Sequence, residues 1–386
     1  MKTIRKLIHG EMLIAVAFVA LGFLALFLFF DVVDELQNVG RGNPQNPYQI
    51  THALLYVLML TPSHLYDLLP IAVLIGTITV MTRLAQSSEF TILRTSGLGP
   101  WRALKNLLSM GLVLAVLTFA LGDYIAPLAD RTGQLLKARF LGQITSGQTG
   151  AWLKEKQTYS NYAVNVGALA SDASMRSIRI FEFDTAGRLL SSTSAERGRF
   201  GEGDEWVLEQ AQRIEFAPSS GVSSTTSATL SSVPAPAQLS RIERSPLLAE
   251  LRWPTELSAE MVSVALLKPE RMRTVDLFQY IRHLEANGQS AQRYEIEFWR
   301  KLFYPLSCIV MVVLALPFAY LHFRSGSMAG YVFAGVMIGI SFFLLNNVFG
   351  YMGNLRNWQP WLAAAAPGIL YSLVSLGAFG WLVLRR

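Results

Sequence analysis

Met12-Leu-Ile-Ala-Val-Ala-Phe-Val-Ala-Leu-Gly-Phe-Leu-Ala-Leu-Phe-Leu-Phe-Phe30 carries no charged or hydrogen-bonding side chain along its whole length. A helix needs roughly 20 apolar residues to cross ~30 Å of hydrocarbon, and this stretch has that length and character. Five more predominantly apolar stretches follow, at approximately Ala53–Thr82, Asn106–Gly122, Leu302–Leu321, Met328–Asn354 and Trp358–Leu384. They fall three and three around a polar middle. The reading is an integral membrane protein with six transmembrane helices and an inserted domain.

Composition agrees. Of 386 residues, 52% are hydrophobic and only 16% charged, so the surplus apolar surface needs lipid as its solvent. A net charge of +6 is compatible with nucleic-acid binding, but the basic residues sit in short loops between spans. Lys2, Arg5, Lys6, Arg83, Arg94, Arg102, Lys105, Arg324, Arg385 and Arg386 share one side of a six-span arrangement, against Arg41 and Arg356 on the other. The positive-inside rule then expects both termini in the cytoplasm and the large middle domain across the membrane. The first stretch exceeds a usual signal-peptide core, and Asp31-Val-Val-Asp34-Glu35 has no small-residue cleavage site, so it is expected to remain as an anchor.

The middle, Ala126 to Lys268, reads as β. Apolar and polar positions alternate in Tyr162-Ala-Val164-Asn-Val166, Ile178-Arg-Ile180 and Arg213-Ile214-Glu215-Phe216, with turn signals at Asp184-Thr-Ala-Gly187 and Gly201-Glu-Gly203-Asp204. This spacing suits a sandwich or an all-β, jelly-roll-like domain. Ser219 to Ser232 is mostly Ser and Thr, readable as a loop or a weak strand. The single cysteine, Cys308, falls in the fourth span, so the exported domain has no internal disulfide and must rest on a hydrophobic core. Thr274–Ala286 places Val275, Leu277, Phe278, Ile281 and Leu284 at helical spacing with Asn287-Gly288 as a stop. Ser290–Lys301 reads as a second amphipathic piece running into span four. The domain boundaries are therefore 1–125 for spans one to three, 126–268 for the β domain, and 269–386 for the linker helices and spans four to six.

No phosphate-binding Gly-x-x-x-x-Gly-Lys-Ser/Thr loop occurs anywhere in the chain. Work driven by nucleotide hydrolysis would need a separate subunit. The longest loop on the cytoplasmic side contains Leu84-Ala-Gln-Ser-Ser-Glu89-Phe-Thr-Ile-Leu93-Arg94-Thr-Ser-Gly97. Ser87 or Ser88 can cap a short helix, Glu89 favours the positive end of its dipole, and Gly97 can end it. Two readings are open on spacing alone: a solvated interfacial turn, or a coupling helix (about 84–97) that docks on an ATPase.

The segment Leu84-Ala-x-x-Ser-Glu89-x-x-x-Leu93-Arg94-x-x-Gly97 resembles the lipopolysaccharide-export permeases of the LptF/LptG type. So do Leu69-Pro70, the later Gly288-Gln-x-x-x-x-Tyr294-x-x-x-Phe298-Trp299-x-Lys301-x-x-x-Pro305, and Val33-Asp34-Glu35-Leu36 with Gly40-x-Gly42. The likeness runs the whole length and favours the LptG branch. It implies the permease subunit of an ABC transporter in the bacterial inner membrane, one that extracts lipopolysaccharide and passes it to a periplasmic bridge toward the outer membrane. It also implies a cytoplasmic LptB-like ATPase dimer that uses ATP and Mg, a sister LptF-like permease, and a single-span LptC-like acceptor. This chain itself would bind no cofactor or metal and catalyse nothing. Glu89, Leu93, Arg94 and Gly97 carry over as the ATPase contacts.

A lipid of about six chains of a dozen carbons would cost on the order of 50 kcal/mol if its tails met water, at ~0.8 kcal/mol per methylene. A hydrocarbon-lined passage is therefore expected, with Phe23, Phe27, Phe30, Phe342 and Phe349 as wall candidates, each of which is individually compatible with ordinary packing. Substrate phosphates and sugars need cationic donors, for which Arg131, Lys137, Arg139 and Arg41 are candidates, Lys137 foremost. Asp31, Asp34 and Glu35 stand where a cation would suit a phosphate better. His64 and Asp67 are ionisable within the second stretch, bracketed by Pro62 and Pro70, and read as an interfacial kink. Gly326-x-x-x-Gly330 and Gly335-x-x-x-Gly339 suggest close helix approach to a partner. The spans are not expected to bury charge pairs, which argues against a secondary transporter. The five histidines all lie outside the β domain, which argues against an enzyme. The remaining alternative is a membrane-anchored scaffold or sensor whose exported β domain binds partners.

Overall fold

The computed structural model describes residues 2–43, 46–87, 92, 99–141, 150–157, 160–170, 174–201, 203–217, 241–265, 269–320 and 328–381. Six helices in it are long and apolar enough to cross a membrane. The chain divides into two compact units, one of residues 1–140, 269–282 and 290–386, the other of 141–268 with 283–289.

In the first unit, α1 (Lys2–Leu36) is followed by a two-stranded turn, β1 (Gly42–Asn43) and β2 (Asn46–Pro47), and by α2 (Ile50–Gln86). α3 (Pro100–Ala120) passes through one π-helical turn, Leu121–Ile125, into α4 (Ala126–Leu141). The fourth membrane helix is assembled from α7 (Gln292–Phe303), a 3-10 turn, and α8 (Ser307–Ala315) with a 3-10 end at Leu316–Tyr320. α9 (Met328–Leu355) and α10 (Pro360–Phe379) complete the unit.

The second half of α2 is the axis of the packing. Leu68 to Ile78 is buried without a break, and Val80, Met81 and Leu84 continue it. A helix apolar on every face is stable only when surrounded, and α8 is likewise buried at Cys308 and from Met311 to Ala315. Packing is close where side chains are absent. A Cβ on Gly76 would come within 2.7 Å of the Val16 backbone, so α1 and α2 meet there almost backbone to backbone. Gly335 and Gly339 lie against Ile78 and Ile71 of α2. Their small-residue stripe, expected to face a partner, therefore serves packing inside the chain. α1 instead turns Ile14, Phe18 and Leu21 outward.

Pro62 and Pro70 both lie inside α2, which continues through them. The helical run after α3 extends through Leu141, so the segment opening the expected β domain at Ala126 is helical and the sheet starts at Ala151.

The second unit is a seven-stranded antiparallel sheet: β3 (Ala151–Lys156), β4 (Asn161–Leu169), β5 (Met175–Phe183), β6 (Leu189–Phe200), β7 (Glu205–Ala217), β8 (Arg241–Arg244) and β9 (Leu248–Pro254). Each of β3 to β8 pairs with the next in sequence, and β9 returns to pair with β7 beyond β8. The inner face follows the alternation legible in the sequence: Leu153 opposes Val164, Val164 opposes Ile180, and Val166 opposes Ile178, all buried. The β5–β6 turn forms because Asp184 Oδ1 accepts the amides of Ala186 and Arg188 while Gly187 adopts φ +81°. Those hydrogen bonds, from the Arg188 amide first, hold the Asp184 carboxyl below its ordinary pKa. Trp206 is 1% exposed, donates through Nε1 to the Leu257 carbonyl and packs edge-on to Trp253, anchoring a core with no disulfide. α5 (Ala259–Ala265) follows the sheet; α6 (Thr274–Ala286), which belongs to the first unit as far as Arg282, spans the residues expected for it, with Gly288 at φ +64° beyond its end. Ser219–Ser232 lies outside the described residues.

Candidate functional site

A cavity of about 330 Å³ opens between α1, α2, α4, α7 and α9 of the membrane unit. Its wall is charged. Asp31, Asp67, Asp130, Glu270 and Glu297 line it together with His64, Arg271 and Arg300. The helices bring these groups together from distant stretches of the chain, and the charges are mostly paired. His64 Nε2 lies 2.5 Å from Asp31 Oδ2, joining α2 to α1, and the Phe27 ring is 5.3 Å from the imidazole. Arg271 stands 3.7 Å from the buried Asp130. Arg300 pairs with Glu297 at 3.3 Å and donates to the Asn346 carbonyl of α9 at 3.1 Å. Glu270 is taken by Arg293 at 3.1 Å.

The absence of buried charge pairs expected from the sequence is therefore overturned. Glu297 is 8% exposed and Lys301 5%, both in the fourth membrane helix. The i,i+3 spacing of Glu297 and Arg300 was visible, but Ser290–Lys301 reads as an amphipathic piece lying ahead of the span. In the structure that piece is continuous with the span, so its charged face turns into the bundle. Asp123, Asp130 and Arg271 were also missed, since none belongs to a local motif.

Beneath the cavity the π-helical turn is held from two sides. The Gly122 carbonyl accepts the Lys301 ammonium at 3.1 Å, and Asp123 Oδ1 accepts both the amide and the hydroxyl of Thr274, at 2.7 and 2.6 Å. A π-turn widens the helix and alters its hydrogen-bond ladder, which suits a site where side chains must reach carbonyls. A Cβ at Gly122 would overlap the Tyr66 ring, so any side chain there requires that ring to move.

Lys137, the leading phosphate candidate, pairs with Glu35 at 2.8 Å and lies 4.7 Å from the Tyr56 ring centre. Beside it Tyr48 is buried, and burial together with the Glu35 carboxylate pushes its phenol above the ordinary range. Arg131 and Arg139 are exposed on α4, and Arg41 is exposed, 3.5 Å from Asn38. Of the aromatic wall candidates, Phe27 and Phe30 are exposed on α1 and Phe23 is half-buried. Phe349 is half-buried, with its ring against Trp358, whereas Phe342 packs in the core against Tyr304 and Tyr371. Glu89, Leu93, Arg94 and Gly97 lie outside the described residues.

A second, apolar cavity of about 590 Å³ runs along α1, α2 and α9, walled by Ile14, Phe18, Val19, Ile75, Val80 and Val332. The Glu11–Arg83 ion pair, 2.6 Å long, closes one end.

Comparison with known proteins gives this arrangement its context. Residues 6–385 match the family described as lipopolysaccharide export system permease LptF/LptG. The lipopolysaccharide export system permease protein LptG of Escherichia coli strain K12 is 28% identical over 357 residues, covering 92% of this chain and 90% of that protein. Its namesake from Haemophilus influenzae is 24% identical over 387 residues, covering 100% and 99%. With six membrane helices, an inserted β unit and a match spanning nearly every residue, the chain belongs to the LptF/LptG family of lipopolysaccharide export permeases.

Proposed function

We propose that this permease forms one wall of a passage for lipopolysaccharide in the bacterial inner membrane, with both termini in the cytoplasm and the β unit in the periplasm. The observation that supports this most is the pairing of two cavities on the same three helices. α1, α2 and α9 contribute to a charged cavity at one level and to an apolar one at another, the division a lipid with a phosphorylated sugar head and long tails requires. The tails must stay covered throughout, since each methylene exposed to water costs ~0.8 kcal/mol.

The energy comes from elsewhere. With no phosphate-binding loop in the sequence, the subunit borrows a cytoplasmic ATPase dimer, which consumes ATP with Mg, through the 84–97 segment. A sister permease closes the passage, and a single-span acceptor leads the lipid to the periplasmic bridge. Purification in mild detergent should bring down a nucleotide-hydrolysing subunit. Glu89→Ala and Gly97→Pro should abolish its recovery and lipopolysaccharide export while leaving membrane insertion intact. Normal export in both variants would remove the coupling segment from the account.

A further inference from the structure

Every carboxylate lining the charged cavity but one has a cationic partner. Asp31 has His64, Asp130 has Arg271, Glu270 has Arg293 and Glu297 has Arg300. Asp67 is left over: it lines the cavity and is exposed, and its carboxylate makes no hydrogen bond or ion pair with any described residue. Its place is fixed, because the Tyr304 hydroxyl donates to the Asp67 carbonyl at 2.6 Å and the next residues, Leu68 and Leu69, are buried. An unpaired carboxylate in a membrane helix is expensive and asks for a partner.

The cations nearby offer a ligand little. Arg300 is held by Glu297 and by the Asn346 carbonyl, and Arg271 faces Asp130. Lys301, buried, donates to Gly122, and Lys137 is taken by Glu35. The uncommitted electrostatic capacity of the cavity is therefore negative. A bare phosphate entering it meets like charge, which costs affinity. The side chains that line it do not gather as a metal centre among the described residues, so a resident metal ion is not what balances Asp67, and a cation carried by the ligand would.

Resting on the permease reading above, we propose that Asp67 selects the head group by charge. Its carboxylate receives a positive charge carried on the phosphorylated sugars, either an ammonium substituent on the phosphate or a divalent cation bound to it. Lipopolysaccharide stripped of both kinds of positive charge is the poor ligand.

The test uses the full-length chain in lipid nanodiscs and measures retained lipopolysaccharide by native mass spectrometry. Three probes are compared: lipopolysaccharide with unsubstituted phosphates in EDTA, the same lipid in Mg²⁺, and lipopolysaccharide with ethanolamine-capped phosphates in EDTA. The native chain should hold at least one positively charged form about tenfold more tightly than the bare form, the size of one charged hydrogen bond. A preference in the ethanolamine arm identifies the ammonium, and one in the Mg²⁺ arm the divalent ion. Asp67→Asn, which keeps the shape, should shrink the preference to within about twofold, and Asp67→Glu should restore it. An undiminished preference in Asp67→Asn, or equal retention of all three forms by the native chain, overturns the assignment and leaves the permease reading standing. Failure of both proteins to retain any of the three above an ordinary phospholipid overturns the permease reading, and the assignment with it.

Discussion

Lys137 shows how a residue's neighbours can redirect its reading. Sequence position makes it a candidate phosphate ligand, and the fold sets it against Glu35, which is 5% exposed, and beside Tyr56. A half-buried pair of this kind loses more when one member is removed than when both are, because the survivor is stranded. Lys137→Met and Glu35→Gln should each lower the thermal midpoint in detergent, and the double variant should recover about 1 kcal/mol relative to their sum. If Lys137 instead holds phosphate directly, Glu35→Gln will leave stability unchanged and strengthen lipid retention. Gly122 gives a sharper structural prediction. Gly122→Val forces the Tyr66 ring aside and should cost ~1–3 kcal/mol of stability, read as a fall in the unfolding midpoint. None of this was legible residue by residue. Glu35 and Lys137 are a hundred positions apart, and only the packing of α1 against α4 makes them partners.

At the scale of elements, the sequence was most readable where one physical rule dominates. Apolar length located the six spans, and alternation located β4, β5 and β7, because lipid solvation and a half-buried sheet face each impose a simple period. It was least readable where an element does two things. The piece at Gln292–Phe303 is amphipathic because its polar face lines a cavity within the bundle, a distinction periodicity does not make. The glycine stripe of α9 likewise declares close packing without naming the neighbour. Gly335→Leu and Gly339→Leu should destabilise the isolated chain by ~1–3 kcal/mol through Ile78 and Ile71. Unchanged stability of the chain with loss of a partner subunit would instead place the stripe on an intermolecular face. In the sheet unit, burial pulls the His283 imidazole below its ordinary pKa, outweighing the nearby Glu155 and Glu256. The folded form thus disfavours the proton that the unfolded chain accepts, so stability is complete above the unfolded value of 6.5 and is lost as pH falls below it. Hydrogen exchange across residues 283–289 should accelerate between pH 7 and 5 beyond the intrinsic pH trend, and His283→Gln should remove the excess.

At the scale of the whole molecule, the chain divides into a unit of membrane helices and a sheet unit built mainly from residues 141–268. The family and the span layout were legible from end to end, because both are written in long stretches and in the motifs around Glu89 and Gly288. The charged cavity was not, since it exists only where five helices meet. The account's central claim is that lipopolysaccharide passes along these helices. A photo-crosslinking amino acid in place of Phe27, which is exposed on α1 beside His64 and the charged cavity, tests it most directly in cells. The account predicts a lipopolysaccharide adduct whose yield falls when the ATPase is inactivated. Capture of ordinary phospholipid alone, at a yield indifferent to the ATPase, would contradict it.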